Sequence, residues 1–296
     1  MTETQDIEPK AKQKPVLSGT AKGILCIIAA AFGFSWMTFF VRAAGDLPTM
    51  QKAFFRNAVA GVVAVSMLLR TDEGLHIKKE SYTDLAFRCL FGTSGLIANF
   101  YAIDRLDIAD ANMLNKLSPF FAILVSIPLL KEKPSKKDLL ATLVAFTGAL
   151  FIIRPTANLS VIPALTGLYG GFGAGTAYVF VRRLGRKGER TAIIVFCFSM
   201  FSCLVTAPFL LFDFHPMTAK QTLCLLLAGA AASLGQFSIT TAYKFAPAKE
   251  ISVYDYTQVI FAALWGMLFL NETPVPLSIV GYILIIGSAV AKKRAS

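Results

Sequence analysis

Two short blocks of this 296-residue sequence recur at a constant spacing of 140 residues. Phe40–Gly45 returns as Phe180–Gly185, with Phe-Val-Arg and the final Gly unchanged. Leu130–Pro134 returns as Leu270–Pro274, with Leu, Glu and Pro unchanged. The same offset, without a gap, relates three further pairs: Gly33 and Gly173, Gly95 and Gly235, and Ala102 and Ala242. Since both copies are hydrophobic throughout, the repeat indicates a duplicated membrane unit.

The apolar residues come in blocks that are long enough to cross a bilayer. Hydrophobic residues make up 55% of the chain, and charged residues make up 16%, against about 25% in a soluble domain. Blocks of about 17–24 residues span a ~30 Å hydrocarbon layer as helices, whereas a barrel would need strictly alternating strands. We therefore predict an all-α integral membrane protein with ten transmembrane helices, at 21–41, 49–69, 82–103, 109–130, 137–153, 162–181, 191–212, 220–243, 249–270 and 275–291.

Ten spans in two copies place five spans in each repeat. Because five is odd, the second repeat must cross the membrane in the opposite sense to the first, which predicts two inverted five-helix repeats. We expect the first repeat at 21–153 and the second, inverted repeat at 161–291. Residues 1–20 are polar and mixed in charge, which predicts a disordered cytoplasmic tail, and residues 292–296 form a basic cytoplasmic C-terminus.

The net charge of +11 follows the predicted topology. If the N-terminus is cytoplasmic, most of the 29 Lys and Arg residues fall in the tail, the inner loops and the C-terminus, and few fall in the outer loops. This bias is the positive-inside pattern. We therefore expect a multi-pass protein of the cell membrane with both termini in the cytoplasm, and the lipid bilayer rather than nucleic acid as its partner.

The cysteines and histidines give no sign of a reactive or metal-binding centre. All five cysteines fall within spans and form no Cys-x-x-Cys motif, which is typical of small buried hydrophobes. The two histidines, His76 and His215, fall in loops, and no phosphate-binding Gly-x-x-x-x-Gly-Lys-Ser/Thr motif is present. We predict no metal, no cofactor and no enzymatic activity.

Three local motifs add a resemblance to a known family. They are Phe54–Asn57 in span 2, Ala109–Pro119 in span 4, and the Lys131–Pro134 corner, which is repeated at 271–274. With the span count and repeat length, they resemble the drug/metabolite transporter superfamily, in its EamA-like branch. The resemblance implies a secondary transporter of small metabolites, often amino acids, nucleosides or toxic analogues. It extends to S-adenosylmethionine carriers, whose span 2 is similar to the Phe-Phe-Arg found here.

Charged residues inside the spans are the first candidates for a substrate site, because a charge in hydrocarbon costs roughly 2.5–3.5 kcal/mol. Arg56 lies about 10 Å into span 2. Its planar guanidinium suits a carboxylate or phosphate, although a structural or gating role is favoured, because the family resemblance includes this arginine across different substrates. Arg88 lies close to the cytoplasmic end of span 3, where we expect it to snorkel.

Lys116 and Asp255 occupy equivalent places in spans 4 and 9. At the repeat offset, Asp255 corresponds to Asn115, which precedes Lys116. Pro119 lacks an N–H and leaves the Asn115 carbonyl without its helical donor, which predicts a broken helix beside Lys116. Lys116 suits an anionic group or an internal ion pair. For Asp255, three roles stay open: pairing with Lys116, binding a substrate amine, or carrying a proton.

Further polar and aromatic side chains complete the predicted binding site. They lie in spans 1, 3, 4, 6, 8 and 9 and supply hydrogen-bonding groups or rings to a central cavity: Trp36, Asn99, Tyr101, Asn115, Tyr178, Gln236 and Gln258.

Two other features are predicted to be structural. Glu132 and Glu272 each precede a proline that opens the next helix, and we expect them to cap its N-terminus. The small-residue stripe Gly167, Gly171 and Gly175 in span 6 predicts close helix packing.

Together these patterns predict a secondary transporter that moves a small polar metabolite by alternating access. Arg56 and Lys116 point to a carboxylate on the solute and Asp255 to an amine, which favours an amino acid or an amino-acid derivative. An uptake carrier for S-adenosylmethionine or nucleosides is the alternative within this fold, and a channel or a non-transporting scaffold is the alternative of another class. A coupling proton, an antiported metabolite and a homodimer are all compatible with this plan.

Overall fold

A computed structural model describes residues 18–103, 105, 112, 114–153, 161–269 and 276–295. Most of the predicted disordered tail, the Glu272 corner, the start of span 4 and Ser296 lie outside these residues. The described residues are helical, with turns and short loops between helices and no strand among them.

Ten helices of 13 residues or more lie within the described ranges, which confirms the predicted all-α class. Those of the first repeat are α1 (Gly19–Ala43), α2 (Thr49–Leu68), α3 (Tyr82–Ile103), α4 (Ser118–Leu130) and α5 (Lys136–Ile153). Those of the second are α6 (Val161–Arg186), α7 (Thr191–Phe212), α8 (Ala219–Phe245), α9 (Thr257–Phe269) and α10 (Pro276–Ala295).

Four of these helices, α1, α7, α8 and α10, are long and apolar enough to cross a membrane when judged by length and composition alone. The outer surface of the bundle fits a lipid environment, because large apolar side chains such as Leu204, Leu211 and Phe212 are exposed on it. Such a surface is unfavourable in water and favourable against hydrocarbon tails.

The two repeats pack against each other through equivalent glycine contacts. Gly33 of α1 faces Gly235 of α8, where a Cβ added to Gly33 would lie 2.7 Å from the Gly235 nitrogen. Gly173 of α6 faces Gly95 of α3, where an added Cβ would lie 2.8 Å from the Gly95 Cα. These are the four glycines related by the 140-residue offset, so α1 on α8 and α6 on α3 are one contact made twice.

The helix ends show that the second repeat is inverted. At one end of the bundle, Thr20 at the start of α1 donates a hydrogen bond to Glu250, and Lys249 donates to the Lys133 carbonyl. Arg186, in the last turn of α6, donates to the Leu130 carbonyl at this same end. The first helix of repeat one therefore begins where the first helix of repeat two finishes. We call this the basic end, since it also carries the Lys and Arg residues of the predicted inner loops.

Candidate functional site

The fourth span of each repeat is interrupted in the middle of the bundle. In the first repeat a turn at Lys116 and Leu117 precedes α4, and Pro119 follows at the second position of that helix. In the second repeat one helical turn, Ala248–Ile251, and a 3-10 segment, Ser252–Tyr256, precede α9. The break predicted from Pro119 is confirmed. In span 9 the Thr257 hydroxyl bonds the Tyr254 carbonyl at 2.7 Å and competes with regular helical bonding.

The glycine stripe of α6 supports the interrupted span 4. A Cβ added to Gly171 would lie 2.7 Å from the Leu114 carbonyl oxygen, and one added to Gly175 would lie 2.6 Å from the Ser118 carbonyl oxygen. The backbone of span 4 therefore lies directly on α6 at the break. Close packing was the predicted role of this stripe, and it is confirmed.

A buried ion pair joins the two interruptions across the repeats. The Lys116 ammonium lies 3.3 Å from the Asp255 carboxylate and 2.8 Å from the Gln258 side-chain carbonyl. The Tyr256 hydroxyl donates a hydrogen bond of 3.0 Å to the Lys116 backbone carbonyl. Both charged side chains are 11% exposed. Of the three roles left open for Asp255, pairing with Lys116 is the one present in this conformation.

Tyr178 connects this pair to the arginines of the first repeat. Its ring stacks on Tyr243 with centroids 4.8 Å apart and planes 10° apart. Asp255, Arg88 and Arg56 are near enough for their charges to act on its hydroxyl. The candidate Tyr178 is therefore within electrostatic range of both the acidic group and the arginines.

Arg88 is buried, and the prediction that it snorkels to the membrane surface is wrong. The residue is 2% exposed, and its guanidinium lies 4.0 Å from the centroid of the Phe198 ring. Gly92, one turn later in α3, leaves room for this guanidinium, because a Cβ there would collide with it. Gly92 is the only hint of this placement in the sequence, and Phe198 comes from a distant part of the chain.

Several buried polar atoms at the centre have no hydrogen-bond partner within the described part of the chain. They come from six helical segments, α2, α3, α6, α7, α8 and Ser252–Tyr256, and include Arg56 Nε, Arg88 Nε, Asn99 Oδ1, Thr176 Oγ1, Ser199 Oγ, Gln236 Nε2, Thr240 Oγ1 and Ser252 Oγ. Leaving such groups unpaired away from water costs free energy. A polar solute or water would satisfy them, so they support the candidacy of Arg56, Asn99 and Gln236.

The remaining candidates lie outside the ion-pair cluster. The Trp36 ring stacks on Trp265 at 4.3 Å within an aromatic cluster of α1 and α9. The Arg105 guanidinium covers the Tyr101 ring at 3.9 Å, close to the end of α3 that is remote from the basic end. Asn115 is half-buried beside Lys116. The structure thus brings together Lys116, Asp255 and Gln258.

A second set of ion pairs closes the basic end. Glu132 binds Arg186 at 2.6 Å and Arg182 at 3.4 Å. Arg182 lies in the repeated block at 180–185, and Glu132 lies in the repeated block at 130–134. The prediction that Glu132 caps the next helix is wrong. Instead Ser135 and Asp138 cap α5, each accepting a hydrogen bond from the other's backbone N–H.

Asp84 makes the neighbouring contacts at this end. Its carboxylate lies 2.7 Å from the Lys187 ammonium and 3.4 Å from the Arg183 guanidinium. Arg183 lies in the last turn of α6, and Lys187 comes directly after this helix. Glu132 and Asp84 of the first repeat therefore bind four cations of the second repeat. Lys292 also pairs with Asp138. The basic residues at this end thus bind the repeats together.

Comparison with known proteins agrees with this architecture. The model of the EamA-like transporter family matches residues 21–154 and 161–291. The chain is 34% identical over 282 residues to the pseudopaline exporter CntI of Pseudomonas aeruginosa, covering 94% of this chain and 98% of that protein. It is 25% identical to human solute carrier family 35 member G1, covering 96% and 81%. A solved crystal structure with 17% identity aligns with a TM-score of 0.80, over 92% of this chain and 98% of the other.

The chain belongs to the EamA-like transporter family. It is a multi-pass membrane transporter of the drug/metabolite transporter superfamily, as its sequence motifs predicted, and not an enzyme.

Proposed function

We propose that this transporter is a secondary carrier that moves an amino acid or an amino-acid derivative by alternating access between its two repeats. The observation that carries the proposal is the buried Lys116–Asp255 pair, with Gln258, at the facing interruptions of spans 4 and 9. Inverted-repeat carriers commonly bind their solute at such discontinuous helices near the bilayer centre.

The chemistry of the pair matches a zwitterion. An α-carboxylate would take the place of Asp255 on the Lys116 ammonium, and an ammonium would take the place of Lys116 on the Asp255 carboxylate. Each protein charge then stays paired when the solute binds, which avoids the several kcal/mol that an unpaired buried charge costs. In this proposal the ion pair holds the two repeats together in the empty carrier and opens when solute enters.

Orientation and direction follow from two further observations. The basic end carries most of the loop Lys and Arg residues, and the positive-inside rule places such an end in the cytoplasm of a cell membrane. The relative from Pseudomonas aeruginosa is an exporter, which favours outward movement here. Asp255 is the carboxylate that would accept a coupling proton when the pair opens, and an antiported metabolite is the alternative driving solute.

Counterflow in proteoliposomes tests this function. Vesicles holding the purified chain would be loaded with a metabolite pool and offered labelled amino acids, S-adenosylmethionine, nucleosides and organic cations one at a time. We expect accumulation of an amino-acid class solute, and its loss in Lys116→Gln and in Asp255→Asn. Lys137→Gln and Asp72→Asn, at exposed positions, are matched controls that should transport normally.

Different results would change the assignment in defined ways. Accumulation of S-adenosylmethionine or nucleosides alone would replace the amino-acid class by the other solutes of this fold. Unchanged transport in both Lys116→Gln and Asp255→Asn would overturn the site. Passive flux without counterflow would indicate a channel and overturn alternating access.

A further inference from the structure

We propose that Arg88, with Arg56 as a second cation, forms an anion-binding subsite, and that the transported solute therefore carries two carboxylates. The inference deepens the proposed function and rests on it. The first subsite, Lys116 and Asp255, would hold the amino-acid head of the solute. The second would hold an acidic group at its far end.

The position of Arg88 is the first argument. Only 2% of this residue is exposed, its Nε atom has no hydrogen-bond partner in the described part of the chain, and it takes part in no described ion pair. The guanidinium rests on the Phe198 ring, which restricts it without satisfying its N–H donors. A planar cation that is held in place with free donors is suited to bidentate binding of a carboxylate.

The natural partner of Arg88 is engaged elsewhere. Asp84 lies four residues earlier in α3, the spacing at which an acid and an arginine normally pair on a helix. In this structure the Asp84 carboxylate binds Lys187 and Arg183 of the second repeat instead. Arg183 and Lys187 therefore take up the acid that would otherwise neutralise Arg88, and the buried Arg88 keeps its charge unpaired.

Arg56 adds a second cation within range of the first. Its side chain is half-buried, and its Nε atom also has no hydrogen-bond partner among the described residues. Arg56 and Arg88 carry like charges that are near enough to act on each other. An anion bound at Arg88 would offset this repulsion.

The balance of charge supports a dianionic solute. Apart from residues at the helix ends and in the contacts of the basic end, the described spans hold three cations, Arg56, Arg88 and Lys116, and the carboxylate of Asp255, which is already paired. A solute with one ammonium and two carboxylates restores the balance: the ammonium joins Asp255, one carboxylate joins Lys116, and the other joins the two arginines. A neutral amino acid would leave both guanidiniums without a counter-charge.

Matched pairs of solutes test the inference with the full-length chain in detergent. The probes are L-glutamate against L-glutamine and glutarate against its monoamide, which differ in one carboxylate, and the readout is the concentration that half-maximally stabilises the chain against heat. We expect the dicarboxylate member of each pair to bind about tenfold more tightly or better, as one charge-assisted bidentate contact implies. In Arg88→Gln this ratio should fall to about one.

Control variants separate charge recognition from a folding defect. Arg88→Lys keeps the charge and should retain part of the preference, whereas Arg70→Gln, at an exposed position, should retain all of it. Lys116→Gln should weaken both members of each pair and leave their ratio in place. A ratio that stays near tenfold in Arg88→Gln would overturn the inference, and so would a wild-type chain that binds the paired solutes equally or not at all.

The failure of this inference can be told from that of the proposed function by counterflow on the same preparation. A chain that accumulates neutral amino acids and excludes dicarboxylates would overturn the second subsite and leave the carrier function intact. A chain that accumulates no solute would overturn both.

Discussion

Cations at the basic end are paired with acids, whereas two arginines inside the bundle are not. At the basic end, Glu132 binds two cations of α6, and Asp84 binds Arg183 of α6 and Lys187, which follows that helix. At the centre, Arg56 and Arg88 take part in no ion pair among the described residues, and their Nε atoms are unpartnered. Where the chain supplies acids, they hold the repeats together, and where acids are missing, we propose that the transported solute supplies them. Lys116 and Asp255 lie between these cases, because their pair belongs to the chain and, in the proposed function, opens for solute.

The largest effect is expected from breaking the central pair on one side. Asp255→Asn leaves the Lys116 ammonium buried without a counter-charge, which costs about 3–5 kcal/mol. We expect a melting temperature about 5–10 °C lower in detergent, together with loss of counterflow. The double variant Lys116→Met with Asp255→Leu should regain most of the stability without regaining transport. A stable, active Asp255→Asn would contradict the role given to the pair.

A smaller effect is expected at the uncharged glycine contacts between repeats. Gly33→Val and Gly173→Val, at positions related by the offset, each place a side chain against the backbone of the facing helix, which costs about 1–3 kcal/mol. Because the two contacts are equivalent, the melting temperatures of these variants should fall by similar amounts. Gly287→Val, where an added Cβ meets nothing within 4 Å, is the control. A much larger fall in one variant than in the other would break the equivalence of the repeats.

Removing an acid from the basic end should change access more than stability. Glu132→Gln weakens the contacts with Arg182 and Arg186, and this end should open more often. A cysteine introduced at Thr241, which lines a cavity of about 220 Å³ with Gly185 and Lys244, should react about five- to tenfold faster with an impermeant maleimide in a background without native cysteines.

The matched control for that measurement is Glu73→Gln, since Glu73 pairs with Arg190 at the surface and is largely exposed. Exposed pairs contribute little, so its labelling rate should stay close to that of the parent. Equal rates in Glu132→Gln and the parent would show that the Glu132 contacts do not hold this end closed.

The smallest effect is expected at Trp36. Its ring packs against Trp265, Phe40 and Phe269, and Trp36→Phe preserves an aromatic surface there. We expect a change of no more than about twofold in the solute concentration that half-saturates counterflow, since stacking is largely retained. A tenfold change in this half-saturating concentration would indicate that Trp36 contacts the solute.

Much of the fold was predictable because it depends on periodicity. The apolar blocks predict the helices, and the 140-residue offset predicts their inversion. The offset also relates Gly33 to Gly173 and Gly95 to Gly235. It does not show that Gly33 contacts Gly235 and that Gly173 contacts Gly95. That crossing follows from the packing of α1 on α8, a three-dimensional fact with no local signal in the sequence.

The candidate site was predictable only in part. Lys116 and Asp255 stand out because a charge in an apolar run is conspicuous wherever it falls. Arg88 was misjudged because it lies near a span end by counting, whereas its burial depends on Phe198 and on the diversion of Asp84 to α6. Glu132 was misjudged because its partners Arg182 and Arg186 lie about 50 residues away, as the bonded pairs show.

The most direct measurement compares the initial counterflow rate of Arg88→Gln with that of Glu132→Gln, using the solute that the wild-type chain accumulates. If unpaired central cations bind solute and paired cations at the basic end bind the repeats, Arg88→Gln should lose at least about 90% of the rate at a fixed low solute concentration. Glu132→Gln should stay within about threefold of wild type. Retained transport in Arg88→Gln together with loss in Glu132→Gln would contradict the account.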